Sequence, residues 1–154
     1  MKLAVLLISH NRIKDVKISM KIIRNLWSKE KDLNQIDIFH CYNGDPDKYP
    51  RKYLEDKLIR RPNLGHFQGA ADLINTGLKE ILDSKKNYNY VFVMSGDVWL
   101  VKPKVLVKIL KTMTGKGYQL ATSLWPDLFF IPRFFATEFF IITPSLAQKV
   151  IPLK

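Results

Sequence analysis

Four short polar stretches follow apolar runs along the chain: Ser9-His10-Asn11-Arg12, Tyr42-Asn43-Gly44-Asp45, Arg60-Arg61-Pro62-Asn63 and Ser95-Gly96-Asp97. Each contains a charge, and each alone is equally what an ordinary turn looks like. Set at the ends of successive strands, they point to one site, because open α/β sheets bind ligands beyond the carboxyl ends of their strands. Asp97 has the most definite chemistry. A hard cation such as Mg²⁺ or Mn²⁺ needs few protein ligands when substrate phosphates supply the rest, so one strand-end carboxylate suffices. The alternative for Asp97 is a turn acid with no ligand. His10 and His66 fall in the same loops, within reach of a phosphate, whereas His40 lies mid-strand and reads as structural. The three are too scattered for a zinc motif. Cys41 has no CxxC partner and reads as an inert core thiol. No Walker loop or GxGxxG occurs, which disfavours an NTPase or a dinucleotide dehydrogenase.

The elements that must position these residues alternate. Leu3–Ser9 is almost continuously apolar and too short for a usual helix, so it reads as a buried strand. Val16, Ile18, Met20, Ile22, Ile23 and Leu26 make Asp15–Trp27 an amphipathic helix with lysines outward. Ile36–Tyr42 is a second strand, ended by a dense turn signal, and Lys57–Arg60 a short third one stopped by Pro62. The loop Asn63–Gly65 opens a helix from about Gln68 to Leu82. Tyr90–Met94 is the strand that leads to Asp97, and Pro103–Met113 a helix with proline in its first turn. Gln119–Ser123 and Ala136–Ile142 read as strands, and Pro144–Val150 as a last helix. This rhythm implies an α/β fold: a mainly parallel central sheet with helices on both faces.

The order of strand–SHNR, strand–YNGD, PNLGHFQGAADLINTGL and YVFVMSGDVWL resembles the family 2 glycosyltransferases of the GT-A fold, from about Lys2 to Pro103, with a weaker echo in FATEFFIITPSLA. The resemblance implies a sugar transferase that uses a nucleotide-sugar donor. It puts Asn11 and Arg12 beside the nucleotide, Asn43 or Asp45 on the base or ribose, and Asn63 and Gly65 in the donor pocket. It makes Asp97 the last acid of the family's Asp-x-Asp motif, the carboxylate for a divalent cation, Mn²⁺ or Mg²⁺. Ser95 stands where the family has the first acid, which leaves weaker metal and ribose binding, or metal independence, open. A transferase that inverts its sugar also needs a carboxylate on the acceptor side to take the hydroxyl proton. Glu138, set among Phe134, Phe135, Phe139 and Phe140, is the first candidate, since desolvation raises a carboxyl pKa toward that of a useful base. Asp127 is the second. Trp99 is a candidate to stack on a sugar ring, against the plainer reading of a core aromatic.

Composition bounds the rest. The chain has 154 residues, 47% hydrophobic and 25% charged, the length of one domain and an ordinary globular balance. A single domain over residues 1–154 is expected, with the C-terminal acceptor part of such transferases minimal or missing. The lone cysteine fits a reducing compartment and suggests a cytoplasmic location. A net charge of +11 favours anionic partners: a nucleotide diphosphate first, with peripheral contact to an anionic membrane as a further option. Nucleic acid is disfavoured, because the lysines read as solvated helix faces. The acceptor (glycan, lipid or protein) is open, as is a homo-oligomer. Three alternatives stand beside the transferase reading: a nucleotidyltransferase, a domain that binds nucleotide sugars without turnover, and a basic module for nucleic acid or membrane.

Overall fold

A computed structural model describes residues 1–49, 51–124 and 135–152, with residues 123–124 and 135–138 described by their backbone alone. Six strands form one sheet: β1 (Lys2–Ser9), β2 (Gln35–Tyr42), β3 (Lys57–Arg60), β4 (Tyr90–Ser95), β5 (Leu120–Leu124) and β6 (Phe135–Ile142), in the order β3-β2-β1-β4-β6-β5. The first four strands are parallel, with Val5 of β1 flanked by Ile38 of β2 and Phe92 of β4. β6 runs antiparallel to β4, and β5 antiparallel to β6. β1 is central and buried on both faces, so seven successive residues, Leu3–Ser9, are shielded from water.

The period of two splits these strands between two cores. Leu3, Val5, Leu7, Phe92 and Met94 face α1 (Ile13–Asn25) and α3 (Pro103–Lys116). Ala4, Leu6, Ile8, Val91 and Val93 face α2 (His66–Asp83) and α4 (Pro144–Val150). Helices therefore cover both faces, as the alternating pattern predicts. Gly77 lets α2 lie close on β1: a Cβ there would meet Leu6 Cδ1 at 2.3 Å.

The elements differ from the sequence reading at their ends. α1 stops at Asn25, and Trp27 lies in a short 3₁₀ turn. Off the helix axis it is fully buried, stacks on Phe92 with ring centroids 5.5 Å apart, and donates its indole N–H to the Leu100 carbonyl at 2.8 Å. α3 continues to Lys116, where Gly117 at φ 68° ends it in the left-handed conformation, an ordinary glycine stop.

Candidate functional site

A cleft of about 720 Å³ opens over the carboxyl ends of β1, β2 and β4 and the start of α2, within the range of roughly 300–1,000 Å³ of small-molecule sites. Eight of the residues singled out in the sequence border it: His10, Arg12, Asn43, Asn63, Gly65, His66, Ser95 and Asp97. Four parallel strands, β1 to β4, bring them together from positions far apart in the chain. Their shared direction puts every strand's carboxyl end at one edge.

The Asp97 carboxylate sits at one wall. Ser95 donates its hydroxyl to Oδ1 at 2.5 Å, and Arg12 Nε lies 3.3 Å from Oδ2. Arg12 also reaches Asp15 at 3.9 Å, and its side chain remains largely in solvent. The loop after β4 is clipped to α1 by the Ser19 hydroxyl, which donates to the carbonyls of Gly96 (3.0 Å) and Val98 (3.3 Å). Gly96 keeps this crossing close: a Cβ would meet the Cβ atoms of both Ser9 and Val16 at 3.1 Å, so these neighbours would have to give by a few tenths of an ångström. Trp99, half-exposed, donates its indole N–H to the Asp15 carbonyl at 3.3 Å.

At the opposite wall α2 begins. Gly65, at φ 84° and ψ −174°, occupies a region essentially closed to other residues. Its N–H is accepted by the Asn63 side-chain oxygen at 3.0 Å. Among the described residues no side chain caps α2, and no acid lies in its first turn. Its first backbone N–H groups are therefore available to an anion, with the positive end of the helix dipole behind them.

Asn11 and Asp45 stand just outside the cleft and serve the loop after β2. Asn11 Oδ1 accepts the Tyr42 hydroxyl at 3.2 Å and the Asp45 N–H at 3.1 Å, while the Asp45 carboxylate accepts the Asp47 N–H at 3.0 Å. His10 joins this brace. Its Nδ1 lies 3.2 Å from both oxygens of Asn43, and its Nε2 3.1 Å from Asn11 Nδ2. Two acceptors at Nδ1 and a donor at Nε2 assign the neutral Nδ1–H tautomer. His66 borders the cleft at the α2 end.

Beneath the cleft floor lies a polar network that the sequence reading missed. The Ser9 hydroxyl, at the cleft, is 2.7 Å from Nε2 of the fully buried His40. His40 Nδ1 faces the buried Glu55 carboxylate at 3.9 Å and is the one buried side-chain nitrogen or oxygen without a hydrogen-bond partner among the described residues. Tyr49 donates its hydroxyl to both Glu55 oxygens at 3.1 Å, and the Tyr53 N–H donates to one at 2.9 Å. Burial pushes the Glu55 carboxyl up, but His40 and the backbone N–H groups of Glu55 and Tyr53 outweigh it and bring the group down to about 2. The reading of His40 as structural fits this place. Nothing in the sequence marks Glu55, because only the fold returns the segment after β2 to that strand. Cys41 is buried on the other face, where burial pushes its thiol up to about 12.

The backbone of Glu138 lies in β6 beside Phe139, whose Cα pairs with that of Met94 in β4. The strand carrying it thus runs beside the strand that leads to Asp97, as expected. Its side chain, and Asp127 altogether, lie outside the described residues. Among the described residues no group of three or more His, Cys, Asp or Glu gathers as a ready-made metal site.

No protein-family model and no curated protein matches this chain. Solved structures do. Residues 1–349 of TarS from S. aureus match over 97% of this chain and 49% of their own, at 11% identity and a TM-score of 0.64. The mannosyltransferase PcManGT from Pyrobaculum calidifontis, solved in complex with GDP-Man and Mn²⁺, matches over 97% of this chain and 46% of its own, at 12% identity and a TM-score of 0.64. The chain thus spans about half the length of each. What is shared at these identities is the fold, the GT-A arrangement expected from the sequence.

Proposed function

We propose that this chain is a glycosyltransferase that moves a hexose-like sugar from a UDP- or GDP-type donor to an acceptor hydroxyl. The observation that carries the reading is one cleft with the α2 N-terminus, free of a side-chain cap among the described residues, on one wall and the Ser95–Asp97–Arg12 cluster on the other. A nucleoside diphosphate has the matching form: a flat polar base, a ribose, and two phosphates that seek N–H donors and positive charge. That the fold is shared with a mannosyltransferase solved with GDP-Man and Mn²⁺ supports the same reading.

The donor set at Asp97 fits a divalent cation. A carboxylate and a hydroxyl are hard oxygen ligands, and donor phosphates and water would complete the shell. Bound there, the cation would neutralise charge growing on the diphosphate. The protein's own groups do the rest. Arg12, displaced from Asp97, is free to meet the phosphates, and the α2 N–H groups orient them. Asn43 and Asn63 offer amides to the base and ribose. On the acceptor side Glu138 takes the hydroxyl proton as the acceptor oxygen bonds to the sugar carbon and the bond from that carbon to the diphosphate breaks, releasing the nucleoside diphosphate, with Asp127 as the second candidate base. Direct attack from that side inverts the sugar carbon.

One observation favours a variant of this reading. Arg12 already sits as a cation against Asp97, and Ser95 replaces an acid, so donor binding without metal is the competing form. A thermal-shift series with UDP, GDP, CMP and dTDP sugars, each with and without Mn²⁺, separates the two. Stabilisation by one nucleotide class that grows with Mn²⁺ supports metal-assisted transfer. Stabilisation indifferent to Mn²⁺ supports the Arg12 form, and no stabilisation by any donor removes the reading.

A further inference from the structure

We propose that the outer face of the α1–α3 layer is a docking surface for an anionic lipid bilayer. This inference stands apart from the transferase reading, since it concerns a face of the molecule and not the cleft.

The basic residues concentrate on the α1–α3 layer, whereas on the other face α4 adds only Lys149 to the charges of α2. α1 contains Lys14, Lys17, Lys21 and Arg24 against one acid, Asp15, and α3 contains Lys104, Lys108, Lys111 and Lys116 against none. α2, on the far side of the sheet, contains Lys79 against Asp72, Glu80 and Asp83. Two acids beside these helices are engaged, Asp15 with Arg12 at 3.9 Å and Asp32 with Lys111 at 2.9 Å. Lys14, Lys21, Lys102, Lys104 and Lys108 are exposed and form no ion pair with the described residues. Their charge is left for a partner.

Apolar side chains interleave with these lysines. Ile18 on α1 is 41% exposed, Val105 on α3 45%, and Trp99 and Val101 in the loop between β4 and α3 47% and 55%. That loop lies along α1, held by the Ser19 hydroxyl and by the Trp99–Asp15 contact, so the four belong to one layer. The combination selects the partner. A headgroup region offers phosphates to lysines and acyl boundary to Ile, Val and Trp. A nucleic-acid backbone offers the phosphates but nothing apolar to Ile18, Val101 and Val105. A second copy of the same face would set lysines against lysines. Among the described residues no helix is long and apolar enough to cross a membrane, so the contact is peripheral.

The test is sedimentation of the full chain with vesicles of phosphatidylcholine alone and of phosphatidylcholine mixed with phosphatidylglycerol, at low and physiological salt. The expected result is binding to the anionic vesicles only, weakened by salt. The pair Lys104→Glu and Lys108→Glu should weaken it by about tenfold or more, and the pair Val101→Ser and Val105→Ser should weaken it also. Lys79→Glu, on the opposite layer, should have little effect. Binding that falls as much for Lys79→Glu as for the α3 pair would assign it to net charge and overturn the docking face. So would equal binding to neutral vesicles, no binding to anionic ones, or salt-sensitive binding to duplex DNA in place of vesicles. All five substituted positions are exposed, and circular dichroism of each variant confirms that the fold survives.

Discussion

Glu138 and Glu55 are both carboxylates among aromatic residues, and they are expected to behave oppositely. Glu138 follows Phe134 and Phe135 and precedes Phe139 and Phe140 in the sequence, and its part as base is a proposal. As the proposed base it should be replaceable by glutamine with donor binding intact and turnover lower by about 10²–10⁴-fold. Full turnover of Glu138→Gln, measured beside nucleotide affinity, would pass the role to Asp127. Glu55 instead faces His40 and accepts hydrogen bonds from Tyr49 and Tyr53. Its carboxyl is held at about 2 against an ordinary 4.5. A lowered pKa means that its stabilisation is complete above the unfolded value and lost as pH falls through the folded one. It amounts to about 3 kcal/mol. Acid unfolding of the wild type between pH 4.5 and about 2 should therefore be steeper than that of Glu55→Gln; superimposable acid curves would show that the pair carries no such linkage. Aspects of this scale were unevenly legible. Asp97, Ser95 and Arg12 could be read because each closes or follows a strand. Asn11 and Asp45 could be placed near the site, but not in their bracing role, since hydrogen-bond partners across strands depend on register.

At the scale of elements, the decisive piece is the entry into α2. Gly65 has open space around its Cβ position, so an alanine there meets no clash, only backbone strain at φ 84°. Gly65→Ala should cost about 1–3 kcal/mol of stability. It should also weaken nucleotide binding, because relief of the strain turns the first N–H groups of α2 away from the cleft. Unchanged melting and affinity together would deny that this turn builds a phosphate cradle. The strands β1, β2 and β4 were readable because burial on both faces demands continuous apolar runs. The reversal of β6 and β5 was not, since an apolar pattern of period two is the same in either direction. The ends of α1 and α3 were misjudged for a related reason. Trp27 continues the apolar periodicity of α1 in sequence, but its stacking on Phe92 needs a different backbone path.

At the scale of the whole molecule, charge is the dominant property. A formal +11 on 154 residues opposes compaction, and salt relieves that repulsion as the screening length falls from about 30 Å to about 8 Å between 0.01 and 0.15 M. The melting temperature should rise over that range. A fall would mean that surface ion pairs such as Arg24–Asp56 outweigh the net repulsion. On the proposed function the same positive field would draw a nucleoside diphosphate toward the cleft, where Asp97 alone among the described cleft-bordering residues carries negative charge. Calorimetric titration of wild type and Asp97→Ala with the stabilising nucleoside diphosphate, with and without Mn²⁺, therefore tests the function most directly. The expected result is tighter binding with Mn²⁺ in the wild type and no response to Mn²⁺ in Asp97→Ala. Equal affinity in all four titrations, or none in the wild type, would contradict it.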